Sequence, residues 1–221
     1  MAYKRRMARS VEEIVDWYLT DCSTDEEREL EWFASQPTLA DAVIQAGLAE
    51  RPFGKRFNHQ CRIRRGVLPE CARRLDAELQ RIKRAQTFHE LFEIVESTIG
   101  NIKWAGELLV YDTSLRIGAK LMLSPEKVYL HAGTREGARY LGFEGTRRFL
   151  ELHDLPLALQ SLRPDQVEDV LCIYKMDLKA LGSKQPKRFE TRVSQRTRCR
   201  SMMARCAPRE SSLISRTALC R

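Results

Sequence analysis

The 221-residue chain carries 38 Lys and Arg against 30 Asp and Glu, a formal net charge of +8. It has no run of about 18 apolar residues, which excludes a membrane-spanning helix. Its seven cysteines are scattered and odd in number, and the basic start "MAYKRRMARS" runs into "VEEIVDWYLTDCSTDEEREL" instead of an uncharged apolar stretch. No secretory leader is expected from that start, and free thiols in a reducing cytoplasm are expected from the cysteines.

In chain order the signals are those of helices. Ser10 with Glu13 forms a capping-box pattern before "VEEIVDWYL". Thr24 precedes the acidic first turn of "DEERELEWF", whose Leu30, Trp32 and Phe33 are candidate core residues, and Thr38 opens "LADAVIQAGLAE". "VLPECARRLDAELQRIKRA" reads as one longer amphipathic helix, with Leu75, Leu79 and Ile82 on its apolar face. Thr87 and Glu90 make a second capping box before "LFEIVESTI", and the apolar "ELLVYDTSLRIGAKLML" is the expected central helix. Ser124-Pro125 predicts a helix with proline at its first position, and Thr146 predicts another over "RRFLELH". Pro164 starts a helix expected to stop at Gly182, a residue suited to a left-handed end. Eight or nine helices and almost no sheet signal predict an all-α fold, a compact multi-helix domain over 1–183.

The basic excess is local. Residues 1–50 carry a net −6, 51–84 a net +8, 85–183 a net −3 and 184–221 a net +9. The last segment is rich in Ser, Thr and Arg without an apolar period, so a disordered basic tail is expected there. It is either a basic arm for nucleic acid or an unselected, non-native extension. The inner basic segment "RPFGKRFNHQCRIRRG" places Arg51, Lys55, Arg56, Arg62, Arg64 and Arg65 among Phe53, Phe57 and His59, with no acid between them. Cationic groups neutralise phosphates and interleaved rings stack on bases, whereas a solvated connector paired with acidic helices would leave the same pattern.

Downstream, "FHELFEIVEST" meets the small turn Ile102-Lys103-Trp104-Ala105-Gly106 and then a second, apolar helix. That order resembles the hairpin of the helix-hairpin-helix DNA glycosylases, whose turn reads apolar-Pro-Gly-apolar-Gly. Gly106 matches the final glycine, while Trp104 replaces the first and Lys103 the proline. In that family a loop and short helix then carry the catalytic aspartate. Laid on Leu141-Gly142, the pattern puts Leu130 on the apolar residue and His131 on the aspartate, within "KVYLHAGTREGARYLG". The resemblance covers residues 98–142. Together with the basic segment 51–65, which lies outside it, the resemblance implies a DNA partner held by residues 51–65, Lys103, Gly106, Thr134, Arg135 and Arg139.

The resemblance does not extend to the chemistry. Base excision needs a carboxylate near the sugar or an amine nucleophile. Histidine supplies no negative charge, and the family's lysine position is Leu108. Cys199, Cys206 and Cys220 do not make the four-cysteine set of an iron–sulfur loop, and His59, Cys61 and Cys71 lack a fourth zinc ligand. No cofactor or metal is therefore expected. Two alternatives stay open: a small-molecule or nucleotide enzyme in which Asp112 orients His131 beside Tyr111, and an interaction module without chemistry.

Overall fold

In a computed structural model of the chain, the described residues are 7–21, 23–50, 56–57 and 60–184. The chain divides into two units, Met1–Pro186 and Lys187–Arg221, and the expected tail lies outside the described residues. The described part is mainly helical, with ten α-helices and one two-stranded sheet. None of the helices is long and apolar enough to cross a membrane.

Helices α1 (Val11–Asp21) and α3 (Leu39–Leu48) start where the caps predict, whereas α2 (Ser23–Ala34) starts earlier and takes Thr24 inside it. The Ser10 hydroxyl accepts from the Glu13 N–H at 3.2 Å, and Thr38 accepts from Asp41 at 3.1 Å. Each bond satisfies one of the amides that a first turn leaves without a partner. The long helix predicted after Gly66 is two, α4 (Val67–Ala77) and α5 (Leu79–Arg84). They meet at Glu78, whose N–H bonds back three residues to Leu75 instead of four. Thr87 caps α6 (Phe88–Ile99), and α7 (Glu107–Leu121) follows the tight turn at 100–106.

The next stretch departs from expectation. No helix follows Pro125; residues 128–129 form strand β1 (Val128–Tyr129), paired antiparallel with β2 (Phe149–Leu150). Nor does a helix follow Thr146: after β2 there are only short 3-10 turns at Leu152–Asp154 and Leu159–Ser161. Between the strands lies α8 (Ala132–Tyr140), and α9 (Pro164–Ile173) and α10 (Lys175–Lys184) close the fold. Gly182 does not end its helix. A Cβ there would lie 2.8 Å from the Tyr140 carbonyl oxygen, so glycine lets α10 approach α8.

Two hydrophobic cores account for these departures. The first joins α2 to α7 through Phe33, Leu68, Leu75, Phe88 and Ile117; the second joins α1 to α8–α10 through Ile14, Tyr18, Val167, Leu171 and Tyr174. Val128 and Leu130 enter the second core while Tyr129 enters the first. Only an extended chain points neighbouring side chains to opposite sides. The strand is thus the seam where the two cores meet. In the second core α8 and α9 touch closely, since a Cβ on Gly137 would lie 2.2 Å from the Leu171 carbonyl oxygen.

Candidate functional site

The turn between α6 and α7 holds the least ordinary backbone among the described residues. Trp104 has φ +79°, a left-handed value disfavoured for a bulky side chain. It is also 54 % exposed, so packing does not account for the conformation. The Arg64 guanidinium sits 4.3 Å from the centre of its ring and the Lys103 ammonium 5.6 Å away, both cation–π distances. The inner basic segment therefore touches the turn between α6 and α7. Arg62, Arg64 and Arg65 are exposed, as is Lys103, and none of the four forms an ion pair among the described residues. Gly106 stands open at the start of α7, with no side chain capping its first turn.

Arg56 does not belong to this surface. It is half-buried, and its guanidinium donates to the Ile63 carbonyl at 3.1 Å, closing the loop that presents Arg62 to Arg65. The loop is anchored from beneath by Arg116, a buried cation inside α7. Arg116 pairs with Glu29 at 2.9 Å, reaches Gln60 at 3.4 Å and lies 4.1 Å over the Phe57 ring. Its Nη1 has no hydrogen-bond partner among the described residues. Arg51 and Lys55 lie outside the described residues, as do Phe53 and His59.

On the other side of the turn, Glu107 makes a bidentate pair with Arg135 of α8, at 2.6 and 2.7 Å. That pair holds the Glu107 carboxyl below its usual range. Arg148 donates from a single nitrogen, Nη2, to both carboxylate oxygens of Glu96, at 2.6 and 2.7 Å. Both pairs cross the seam, and both arginines line one small pocket with Tyr111, Tyr129 and His131. Its space is about 30 Å³, room for about one water. Tyr129 stacks on Tyr111 with ring centres 5.9 Å apart, and its hydroxyl bonds the Nδ1 of His89 at 2.8 Å. Burial pushes the Tyr129 phenol well above its ordinary range, so it stays protonated.

His131 is a helix cap, and its partner is not Asp112. Its backbone N–H donates to the Thr134 hydroxyl at 2.7 Å, and Thr134 donates back to the His131 carbonyl at 3.0 Å. Its Nδ1 accepts the Gly133 N–H at 3.2 Å and must therefore lack a proton. Nε2 then carries the proton and donates it to Glu168 of α9, with both side chains buried. Burial lowers the His131 pKa, and the charges of Asp112 and Glu107 only partly oppose this. With both ring nitrogens committed, the imidazole has no lone pair to act as a base. Asp112 is bound elsewhere, accepting from Gln60 and lying 3.9 Å from Arg116, so the Asp112/His131 dyad is not formed.

Two further site residues expected from sequence are displaced from a binding role. Thr134 is fully buried and its hydroxyl is spent inside the cap. Arg135 is held by Glu107 instead of facing solvent alone. Arg139 is exposed. Cys172 approaches the histidine region, for a Cβ on Gly133 would lie 3.2 Å from its sulfur and 3.3 Å from the His131 ring. Burial raises the Cys172 thiol to about 11, which leaves it protonated and unreactive as a nucleophile. Among the described residues there is no group of three or more His, Cys, Asp or Glu placed to hold a metal ion.

Glu168, Glu107, Arg148 and Gln60 were not picked out from sequence. Each is paired with a residue 28 to 52 positions away. Glu168 alone carried a local signal, an acid one turn before Leu171 on the stripe that α9 buries. No family model, no curated protein and no solved structure matches the chain.

Proposed function

We propose that this protein binds DNA through the exposed patch of Arg62, Arg64, Arg65, Lys103 and Trp104, with the turn at 100–106 serving as a helix-hairpin-helix-like element. The observation that carries the proposal is Trp104 itself. An exposed tryptophan held at φ +79° between two cations stabilises nothing in the core. Backbone outliers of about 1–3 kcal/mol persist mainly where function needs them. The family resembled keeps a glycine in that slot so that backbone meets phosphate. Here the ring and the flanking cations would make the contact, the four charges neutralising phosphates and the indole stacking on a base. Gly106 leaves the positive end of α7 open beside them. No base excision follows from this site, because His131 is committed to Gly133 and Glu168.

Fluorescence anisotropy with a labelled oligonucleotide tests the proposal on the full chain and on a chain ending at Pro186, which separates the basic tail. Trp104→Gly should keep the melting temperature, since glycine relieves the φ strain. It should weaken binding roughly 5- to 150-fold, the loss of one stacking contact of about 1–3 kcal/mol. Replacing Arg62, Arg64, Arg65 and Lys103 by Ala should flatten the plot of log affinity against log salt by up to about 3. Affinity and slope unchanged in both variants, with all binding lost on removing the tail, would place the contact elsewhere.

A further inference from the structure

We propose that the seam pocket is a binding site for a phosphoryl dianion, reached when Glu96 and Glu107 release Arg148 and Arg135. Two guanidiniums from the second core side converge there on carboxylates from the first. A guanidinium fork fits a phosphoryl group as it fits a carboxylate. The glutamates are the displaceable members. Glu107 is 57 % exposed against 21 % for its partner Arg135, while Glu96 and Arg148 are 41 % and 57 % exposed, and an ion pair so open to water gains little. Glu96 also lies in the last turn of α6, where the helix dipole disfavours a carboxylate. The starts of α7 and α8 bring positive helix ends to the pocket, the first of which carries Glu107 itself.

The remaining wall suits a phosphate ester better than free phosphate. Phe92, Val110 and the stacked Tyr111 and Tyr129 rings line it, so a ring attached to the phosphoryl group meets aromatic carbon. At about 30 Å³ the closed pocket admits no such group, and the room must come from the glutamate side chains turning outward. The phosphoryl group has two possible sources, a free aryl or nucleoside monophosphate and the 5′-phosphate of a DNA strand. The second source rests on the DNA-binding proposal, since Glu107 directly follows the turn at 100–106. The first does not.

Thermal unfolding of the full chain at matched ionic strength, with phenyl phosphate replacing chloride, tests the free source. Anisotropy with 5′-phosphorylated and 5′-hydroxyl oligonucleotides tests the strand end. Phenyl phosphate at millimolar concentration should raise the melting temperature by a few degrees. Arg135→Gln with Arg148→Gln should abolish the rise. Glu96→Gln with Glu107→Gln, which removes the competitors, should bind several-fold more tightly than the unchanged chain. A several-fold preference for the 5′-phosphate that the arginine variant loses assigns the dianion to a strand end. No response to phenyl phosphate and no 5′-phosphate preference in the glutamate variant, or an equal response in the arginine variant, overturns the proposal. Oligonucleotide binding lost in the Trp104 and basic-patch variants but insensitive to the 5′-phosphate would leave the DNA-binding proposal standing alone.

Discussion

Replacing His131 by Ala removes two separate things, and their sizes follow from the geometry. One is the hydrogen bond from Nε2 to the buried Glu168 carboxylate, a bond to a charged group worth about 1.5–3 kcal/mol. The other is the cap on α8 through Nδ1 and the Gly133 N–H, worth about 0.5–2 kcal/mol. Together they come to roughly 2–5 kcal/mol out of a total stability of about 5–15 kcal/mol. At about 2–4 °C per kcal/mol for a domain of this size, the melting temperature should fall by roughly 4–20 °C. His131→Asn keeps a capping oxygen but does not reach Glu168, so it should recover the cap share alone, about 0.5–2 kcal/mol. Glu168→Gln keeps an acceptor for Nε2–H and should cost only about 1 kcal/mol. Thermal and urea unfolding followed by circular dichroism above pH 6.5, the ordinary histidine value, should therefore rank the chains wild type, Glu168→Gln, His131→Asn, His131→Ala. An Asn variant no more stable than the Ala variant would refute the capping role. All three variants within about 0.5 kcal/mol of wild type would refute the structural account of His131 altogether.

Two more outcomes follow from the same region. Gly137→Ala should destabilise the protein, because a Cβ 2.2 Å from the Leu171 carbonyl oxygen forces α8 off α9. The overpacking cost of about 1–3 kcal/mol should exceed the gain of up to about 1 kcal/mol in helix propensity, and an unchanged or higher melting temperature would show that the helices are not so close. Stability should also depend on acid in two steps. The folded chain holds His131 neutral below the ordinary value of 6.5, while the unfolded chain takes up a proton there, so stability is full above about 6.5 and declines as the pH falls below it. Glu107 and Glu136 are lowered by Arg135 and Lys175, so their contribution is lost only below about 4.5. Urea midpoints measured across that range check both, and His131→Asn should remove the upper step alone.

Several helix starts were legible in the sequence because capping is local chemistry. Ser10, Thr38 and Thr87 each bond an amide three residues on, so the residue type and its spacing carry the information. The segment from 122 to 163 was not legible, because its conformation depends on where two cores lie. "KVYL" has the composition of a helix or a strand, and only Tyr129 facing one core while Val128 and Leu130 face the other decides for the strand. Gly182 misled for a related reason. Its small size serves the approach of α10 to Tyr140, not a left-handed turn, and the two uses look identical in sequence.

The candidate site follows the same division. The cationic segment and the turn were visible as residue types, but their contact through Arg64 and Trp104 was not. Local pattern also placed Arg135 among the phosphate-binding residues. It could not show that Glu107, the first residue of α7, already occupies that guanidinium. This contact links the two surfaces. The same helix start lies beside Lys103 and Trp104 on one side and holds Arg135 on the other. Anything that draws Glu107 away from Arg135 acts at the edge of the exposed patch and at the seam at once. The patch and the pocket therefore have to be tested with separate substitutions, Trp104→Gly for one and the arginine pair for the other.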